Sequence, residues 1–382
     1  MTPFDFATAG RVAVGAGRAQ ELARVLPELG SRALVCTGAH PQRHARLLES
    51  LAVPHVVSTV DGEPTVATAR AVTASAREFT ADVVVAIGGG SVLDLGKAVA
   101  VLLANGGDPL DYLEVVGRGQ PFARPAVPCV AVPTTAGTGS EVTANAVLTS
   151  PEHGVKASLR SPYLLPRVAL VDPLLTLDCP PAVTASSGLD ALTQCLEPFV
   201  SVRANPVTDG LAREGLRRAG TGLRRAFADG SDVGARTDMA LCGLFGGMAL
   251  ANAKLGAVHG FASAIGGVAA VPHGMACAAM LVPVVVANIR ALRAREPGHP
   301  ALDRYAEASR LLTGDDDAST VDGVEWLRET VRLLGVPRLG RYGIGVADAD
   351  GIVARTVKAG STQGNPVVLS ENDLHEILAN AI

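Results

Sequence analysis

A chain of 382 residues with a formal net charge of −4, 48% hydrophobic and only 18% charged residues, is long enough to pack two domains and offers no basic face to a nucleic-acid partner. No run of about 18 uncharged apolar residues stands out as a membrane span, and the N-terminal MTPFDFATAGRVAVGAG lacks the basic start and apolar core of a secretory leader. Six cysteines without CxxC spacing read as reduced thiols of a cytoplasmic protein.

In chain order, Arg11 to Val14 suggests a strand and GAGRAQELARVL opens a helix. The Gly15-Ala16-Gly17 piece lacks the third glycine and the later acidic residue of a dinucleotide fingerprint, so it reads as a strand-to-helix turn. RALVCTG reads as a buried strand ending at Thr37-Gly38, and residues 40 to 51 as a helix. A strand near His55 and a helix from Thr65 to Phe79 lead to ADVVVAIGGGSVLDLGKAVAVLL. Its unbroken apolar run, Val83 to Ile87, is the pattern of a parallel strand covered on both faces. Gly88, Gly89, Gly90 and Ser91 then turn into a helix whose uncapped N–H groups and dipole suit a pyrophosphate. A strand at Cys129 to Val132 runs into PTTAGTGSEVTANAVL, where Thr134, Thr135, Thr138 and Ser140 set hydroxyls beside glycines. After GVKASLRSPYLLP, the stretch RVALVDP reads as one more strand.

Beyond the prolines between Leu174 and Pro181 the pattern becomes helical. The expectation is therefore an α/β dinucleotide-binding domain with a parallel sheet over residues 1–178, followed by an all-α domain over 179–382. Ser370 is placed to cap a final amphipathic helix. Polar side chains with no ordinary reason to be buried sit in the helical half. Asp190 and Gln194, in SSGLDALTQCLEPFVS, are spaced i and i+4 and share a helix face. His259 and His273, in NAKLGAVHGFASAIGGVAAVPHGMAC, are two of only eight histidines, set in a glycine-rich apolar run. One helix giving two oxygen donors and a later segment giving two imidazoles is a way to assemble a metal site.

Together these stretches resemble the iron-containing (group III) alcohol dehydrogenases, through GLDAL, the two histidines fourteen residues apart with the Pro272-His273-Gly274 turn, GGGSxxDxxK with Asp94 and Lys97, and PTTAGTGSE. The resemblance covers most of the chain and implies the architecture shared with dehydroquinate synthase. It implies a divalent metal, Fe(II) or Zn(II), held by Asp190, Gln194, His259 and His273, although Gln194 stands where the family has histidine. A further family histidine, near the nicotinamide, is replaced by Ser263. NAD or NADP would be bound by Gly38, Gly88, Gly89, Gly90, Ser91, Asp94, Thr134, Thr135, Thr138, Ser140 and Lys156, with Lys156 near the nicotinamide end. At the Gly38 position the family commonly carries an aspartate that excludes a 2'-phosphate; glycine there permits NADPH, with His40 and Arg43 in reach of the phosphate.

The activity implied is hydride transfer between an alcohol and an aldehyde or ketone, with His259, His273 and Lys156 as catalytic candidates. The apolar neighbours Phe261, Ala262, Ala264 and Ile265 suit a small substrate. The alternative is a metal-independent oxo-acid reductase like the related maleylacetate reductases, for which Arg160, Arg203 or Lys254 would bind the carboxylate. A second alternative is a lyase or cyclase like dehydroquinate synthase. The resemblance also implies a homodimer or larger homo-oligomer, and the lack of an apparent span leads us to expect no membrane partner.

Overall fold

In the computed structural model, which describes residues 3–382, the chain divides into an α/β unit, residues 7–135 and 139–176, and a helical unit, residues 177–382. Ala136–Thr138 and the first described residues, up to Phe6, group with the helical unit. The change of unit nearest the single boundary expected at 178/179 falls at 176/177, and the chain also changes unit at 6/7, 135/136 and 138/139.

The strands are β1 (Val12–Val14), β2 (Ala33–Gly38), β3 (His55–Val60), β4 (Val83–Gly88), β5 (Cys129–Pro133), β6 (Asn145–Ser150), β7 (Val155–Arg160) and β8 (Val168–Val171). Six of them form one parallel sheet in the order β1-β8-β5-β4-β2-β3. Helices α1 (Leu22–Leu29), α2 (Ala45–Glu49), α3 (Val66–Glu78), α4 (Gly90–Asn105) and α5 (Pro109–Tyr112) complete the unit. The pleat explains the unbroken apolar strands. Leu34, Cys36, Val84 and Ala86 enter the core shared with α3 and α4, while Val35, Val83, Val85 and Ile87 enter the core shared with α1.

Two departures from the sequence pattern have physical causes. Residues 40–51 form a 3-10 turn, Pro41–His44, and the short α2 in place of one helix. Neither piece contains a fully buried residue, and only Leu47 and Leu48 pack against the core, too short a stripe to stabilise a longer helix. Residues 145–160 form an antiparallel hairpin, β6 and β7, beyond the strands expected from the sequence. Its period-2 burial, with Ala146, Leu148, Ala157 and Leu159 inside, was present in the pattern, and Gly154 makes the turn at φ 62°.

The helical unit contains α6 (Pro181–Val200), α7 (Pro206–Ala228), α8 (Val233–Ala253), α9 (Ala257–Gly266), α10 (His273–Arg295), α11 (Ala301–Thr313), α12 (Thr320–Leu333), α13 (Ala349–Lys358) and α14 (Glu371–Ala381). Their apolar faces share one core. Ser370 caps α14 with a reciprocal bond from Asp373, as expected. By length and composition α10 could cross a membrane, a feature the sequence reading did not single out. Two-thirds of its apolar stretch (67%) is buried inside the unit, as befits a central core helix. Leu281, Val284 and Leu292 are among its buried residues.

The α/β unit also buries a charge pattern with a consequence. Lys97, 1% exposed, donates to the Ser140 carbonyl at 2.9 Å and to Thr143 Oγ1 at 3.1 Å, and lies 3.2 Å from Asp94 Oδ1. Glu141 is buried beside this group, and desolvation pushes its carboxyl up from 4.5 to about 7, against the smaller opposing pull of a backbone N–H and Lys97. The fold thus favours protonated Glu141, a contribution complete below pH 4.5 and lost as pH rises through about 7. Glu141→Gln, neutral at every pH, is expected to exceed the wild type in stability at pH 8 by about 1–3 kcal/mol and to lose that advantage at pH 5. Urea unfolding at the two pH values checks this, and equal offsets at both would rule out the buried carboxyl as the cause.

Candidate functional site

The polar cluster of the helical unit is built from α6, α9 and α10. Helix α6 carries Asp190, Gln194 and Glu197 at i, i+4 and i+7, along one face, and all three are buried. Between α8 and α9 the chain bends by 96°, with Lys254 at φ 63°. Gly256 precedes α9, and a Cβ on it would stand 2.8 Å from Glu197 Oε1. Glycine there lets the start of α9 rest on the Glu197 carboxylate. That carboxylate accepts from the Val258 N–H at 2.7 Å and meets His259 Nδ1 at 2.7 Å. It therefore serves as the missing N-terminal cap of α9 and fixes the imidazole, with Nε2 3.3 Å from Asp190 Oδ1.

Helix α10 reaches the cluster by a different route. Pro272 precedes its first residue, His273, and a Cβ on Gly274 would stand 2.4 Å from the Ser186 carbonyl of α6. The glycine allows the two backbones to meet, which brings His273 Nε2 to 3.9 Å from Asp190 Oδ1. The two imidazole rings lie 5.5 Å apart between centroids. Cys277, one turn along α10, places Sγ 3.7 Å from His273 Nε2. Ligand atoms of Asp190, His259, His273 and Cys277 all lie within 4.8 Å of one another.

Among the described residues, four buried side-chain polar atoms have no hydrogen-bond partner, and three belong to this cluster: Asp190 Oδ1, Gln194 Oε1 and His259 Nε2. The 3.3 Å approach of His259 Nε2 to Asp190 Oδ1 lacks hydrogen-bond alignment. An orphaned buried group costs about 1–3 kcal/mol, so such a concentration points to a shared partner. A divalent cation fits the donors. Bonds of about 2.0–2.1 Å in a tetrahedron place N and O ligand atoms roughly 3.4 Å apart, close to the 3.3 Å seen for Asp190 and His259 and somewhat under the 3.9 Å for Asp190 and His273. Burial alone would raise the Asp190 carboxyl, but hydrogen bonding and positive charge from His259 and His273 more than offset it and hold the group below its usual value; a bound cation would take over that role as the imidazoles give up their protons to ligate.

Gln194 is the exception among the expected ligands. Its Nε2 donates to Asp190 Oδ2 at 2.9 Å, which orients the carboxylate. Glu197 and Cys277 were not singled out in the sequence. A second carboxylate on the Asp190 face of an apolar helix, and a cysteine one turn after a candidate ligand, were the available signals. A groove of about 590 Å³ in the helical unit, along α10 and Arg328 to Arg338, is lined by none of these residues.

In the α/β unit the glycine turn follows β4, an internal strand. A Cβ on Gly88 would stand 2.5 Å from Val92 Cγ2, so the tight entry to α4 requires glycine. Helix α4 starts at Gly90 with Ser91 in its first turn, and no side chain caps it. Thr134 N donates to the Gly88 carbonyl at 2.9 Å, and a Cβ on Gly89 would stand 3.3 Å from Thr135 Oγ1, so the two signature loops adjoin. Asp94 accepts from the Ser140 hydroxyl at 2.5 Å and the Val147 N–H at 3.0 Å, holding the second loop in place. Gly38 ends β2 with open space where a Cβ would stand. Lys156, on β7, pairs with Glu63 at 2.6 Å, and Arg160 pairs with Glu114 at 3.0 Å. Thr138 belongs to the helical unit, while Ser263 on α9 and Arg203 are exposed; Lys254 donates to Gln363.

A parallel-sheet unit with a glycine turn of phosphate-binding type and a helical unit with a carboxylate–imidazole cluster that fits a cation are the parts expected of a dinucleotide-linked, metal-assisted dehydrogenase. Comparison with known proteins specifies the class. Residues 9–173 match the family model described as iron-containing alcohol dehydrogenase, and residues 184–382 match its C-terminal counterpart. The chain is 37% identical to long-chain-alcohol dehydrogenase 1 of Geobacillus thermodenitrificans over 330 residues, 85% of this chain and 80% of that one. The crystal structure of a 1,3-propanediol oxidoreductase superposes with a TM-score of 0.90 at 32% identity over all of both chains. A sulfoacetaldehyde reductase from Bifidobacterium kashiwanohense, solved with NAD+, gives 0.89 at 26% identity over 100% of this chain and 99% of that one. The protein belongs to the iron-containing alcohol dehydrogenase family.

The Glu197 carboxylate carries a direct expectation. Glu197→Gln should weaken zinc affinity by about 10–100-fold, the usual effect of losing a group that orients a histidine ligand. Competition with a chromophoric chelator measures it, and unchanged affinity would reduce Glu197 to a helix cap.

Proposed function

We propose that this protein is a metal-assisted, NAD(P)-linked oxidoreductase that interconverts a small alcohol and its aldehyde or ketone. The observation that carries this reading is the set of orphaned buried atoms, Asp190 Oδ1 and His259 Nε2, beside the His273 imidazole. A divalent ion held by Asp190, His259 and His273 would supply Lewis acidity toward an alcohol or carbonyl oxygen. Asp190 contributes the negative charge that offsets a dication. Glu197 takes the Nδ1 proton of His259 as a hydrogen bond, which leaves Nε2 with a lone pair for ligation. Gln194 holds Asp190 Oδ2, so that Oδ1 is the oxygen presented. In the α/β unit, Gly88 to Ser91 offer backbone N–H groups to the coenzyme diphosphate, and Thr135 adjoins that turn. A nicotinamide coenzyme held by this turn would supply the hydride acceptor and donor. The family assignment and the NAD+-bound relative support the coenzyme.

The same reading takes the enzyme as a cytoplasmic homo-oligomer, in keeping with six unbridged cysteines. Gln194, in place of a family imidazole, favours a second reading in which carbonyl reduction is metal-independent and the substrate is an oxo acid.

Elemental analysis of protein purified without chelator, followed by chelation and metal return, separates the two. The expected result is near-stoichiometric zinc or iron, aldehyde reduction abolished by stripping, and its recovery on re-addition; undiminished turnover by metal-free protein would sink the Lewis-acid reading. Gly38 supplies a coenzyme test. Because open space surrounds its Cβ position, Gly38→Asp should fold normally and raise the NADPH KM at least about tenfold, equivalent to roughly 1.4 kcal/mol of repulsion, while sparing NADH. Parallel kinetics with the two coenzymes decide, and an equal change in both would remove Gly38 from the ribose site.

A further inference from the structure

The four-ligand set implied by family resemblance is short of one imidazole, because residue 194 is glutamine. Its amide nitrogen already holds Asp190 Oδ2 at 2.9 Å, and its carbonyl oxygen is a neutral, weaker donor than the ring it replaces. The same cluster gains a donor from another direction. Cys277 lies one turn after His273 on α10, is fully buried, and places Sγ 3.7 Å from His273 Nε2. Its Sγ is within 4.8 Å of the ligand atoms of Asp190, His259 and His273. With a metal–sulfur bond of about 2.3 Å and a metal–nitrogen bond of about 2.05 Å, tetrahedral geometry separates S and N by roughly 3.6 Å. Two independent observations thus meet at one point: a thiol at ligand spacing, and the unpartnered Asp190 Oδ1 and His259 Nε2, each on a side chain more than nine-tenths buried.

We propose that Cys277 is a protein ligand of this metal site, completing an Asp190, His259, His273, Cys277 set, and that Gln194 positions Asp190 rather than binding metal. The inference rests on the metal-assisted reading and deepens it by naming the metal's chemistry. The thiol proton leaves to solvent as the Sγ–metal bond forms, with no change in oxidation state. A carboxylate, two imidazoles and a thiolate make a borderline-to-soft set, which suits zinc or cobalt and disfavours magnesium or calcium. Three charged or imidazole ligands alone would leave the thiol as a bystander against His273. A thiolate ligand instead neutralises the second charge of the dication in a buried site, which a glutamine carbonyl would not.

The test is the absorption spectrum of the full-length protein loaded with Co(II), which needs no turnover. The expected result is one equivalent of cobalt with visible ligand-field bands and, in addition, an intense near-ultraviolet thiolate-to-cobalt charge-transfer band. In Cys277→Ser that band should vanish while ligand-field bands persist at higher cobalt concentration. Zinc affinity should fall more than about 100-fold, beyond the range for loss of an orienting neighbour. Gln194→His combined with Cys277→Ser should recover affinity without restoring the charge-transfer band, which keeps the test decisive if the single variant folds poorly. Ligand-field bands in the wild type without charge transfer, or a band that survives Cys277→Ser, would overturn the assignment of Cys277 while leaving a metal enzyme. Absence of any cobalt uptake would overturn both the assignment and the metal-assisted reading beneath it.

Discussion

The site depends on one buried carboxylate that binds no metal in the proposed arrangement. Glu197 caps the first turn of α9 through Val258 and clamps His259 through Nδ1, so a single side chain of α6 sets both the position of the helix and the tautomer of its imidazole. Replace it with an apolar residue and two demands are left unmet in a dry interior, each worth about 1–3 kcal/mol. The glycine at 256 is the counterpart of that carboxylate, since any side chain there would collide with it. Glu197 and Gly256 thus form a matched pair across α6 and α9.

The two units solve the problem of holding a charged ligand differently. The α/β unit relies on backbone: a parallel strand ends at glycines, and the helix that follows is left uncapped toward its N-terminus. Side chains of the neighbouring loop are bound inward, with Asp94 and Lys97 tying down Ser140 and Thr143. The helical unit relies on side chains from three helices, whose backbones are brought together by glycines at 256 and 274. Backbone recognition suits a phosphate diester, and convergent side chains suit a cation.

How far the sequence reveals this follows from which forces act locally. The parallel strands were legible because burial on both faces leaves an unbroken apolar run, as at Val83 to Ile87. Asp190, His259 and His273 were legible because polar groups in apolar stretches need a partner, and the structure brings those three together. Glu197 escaped notice because its role depends on α9 folding back after a bend of 96°, which no local pattern encodes. Cys277 escaped because a buried cysteine is ordinarily an inert apolar residue, and only proximity to His273 marks it. The hairpin at residues 145–160 carried a readable alternation, masked by the threonines and serines around it. Asp94 and Ser140 were read as coenzyme contacts from their motifs, and their mutual hydrogen bond adds a holding role that spacing could not disclose.

The short segment Ala136–Thr138 bears on how the protein could be dissected. These three residues pack with the helical unit, where a Cβ on Gly137 would stand 2.7 Å from Ser187 Cβ and one on Gly243 would stand 3.1 Å from the Gly137 N. They are nonetheless flanked on both sides by the α/β unit. A fragment beginning at Leu177 would therefore lack a piece of its own surface packing, and one ending at Thr176 would carry that piece with nothing to cover it. The gene segment and the folding unit do not coincide, so neither half can be moved to another protein by a single cut.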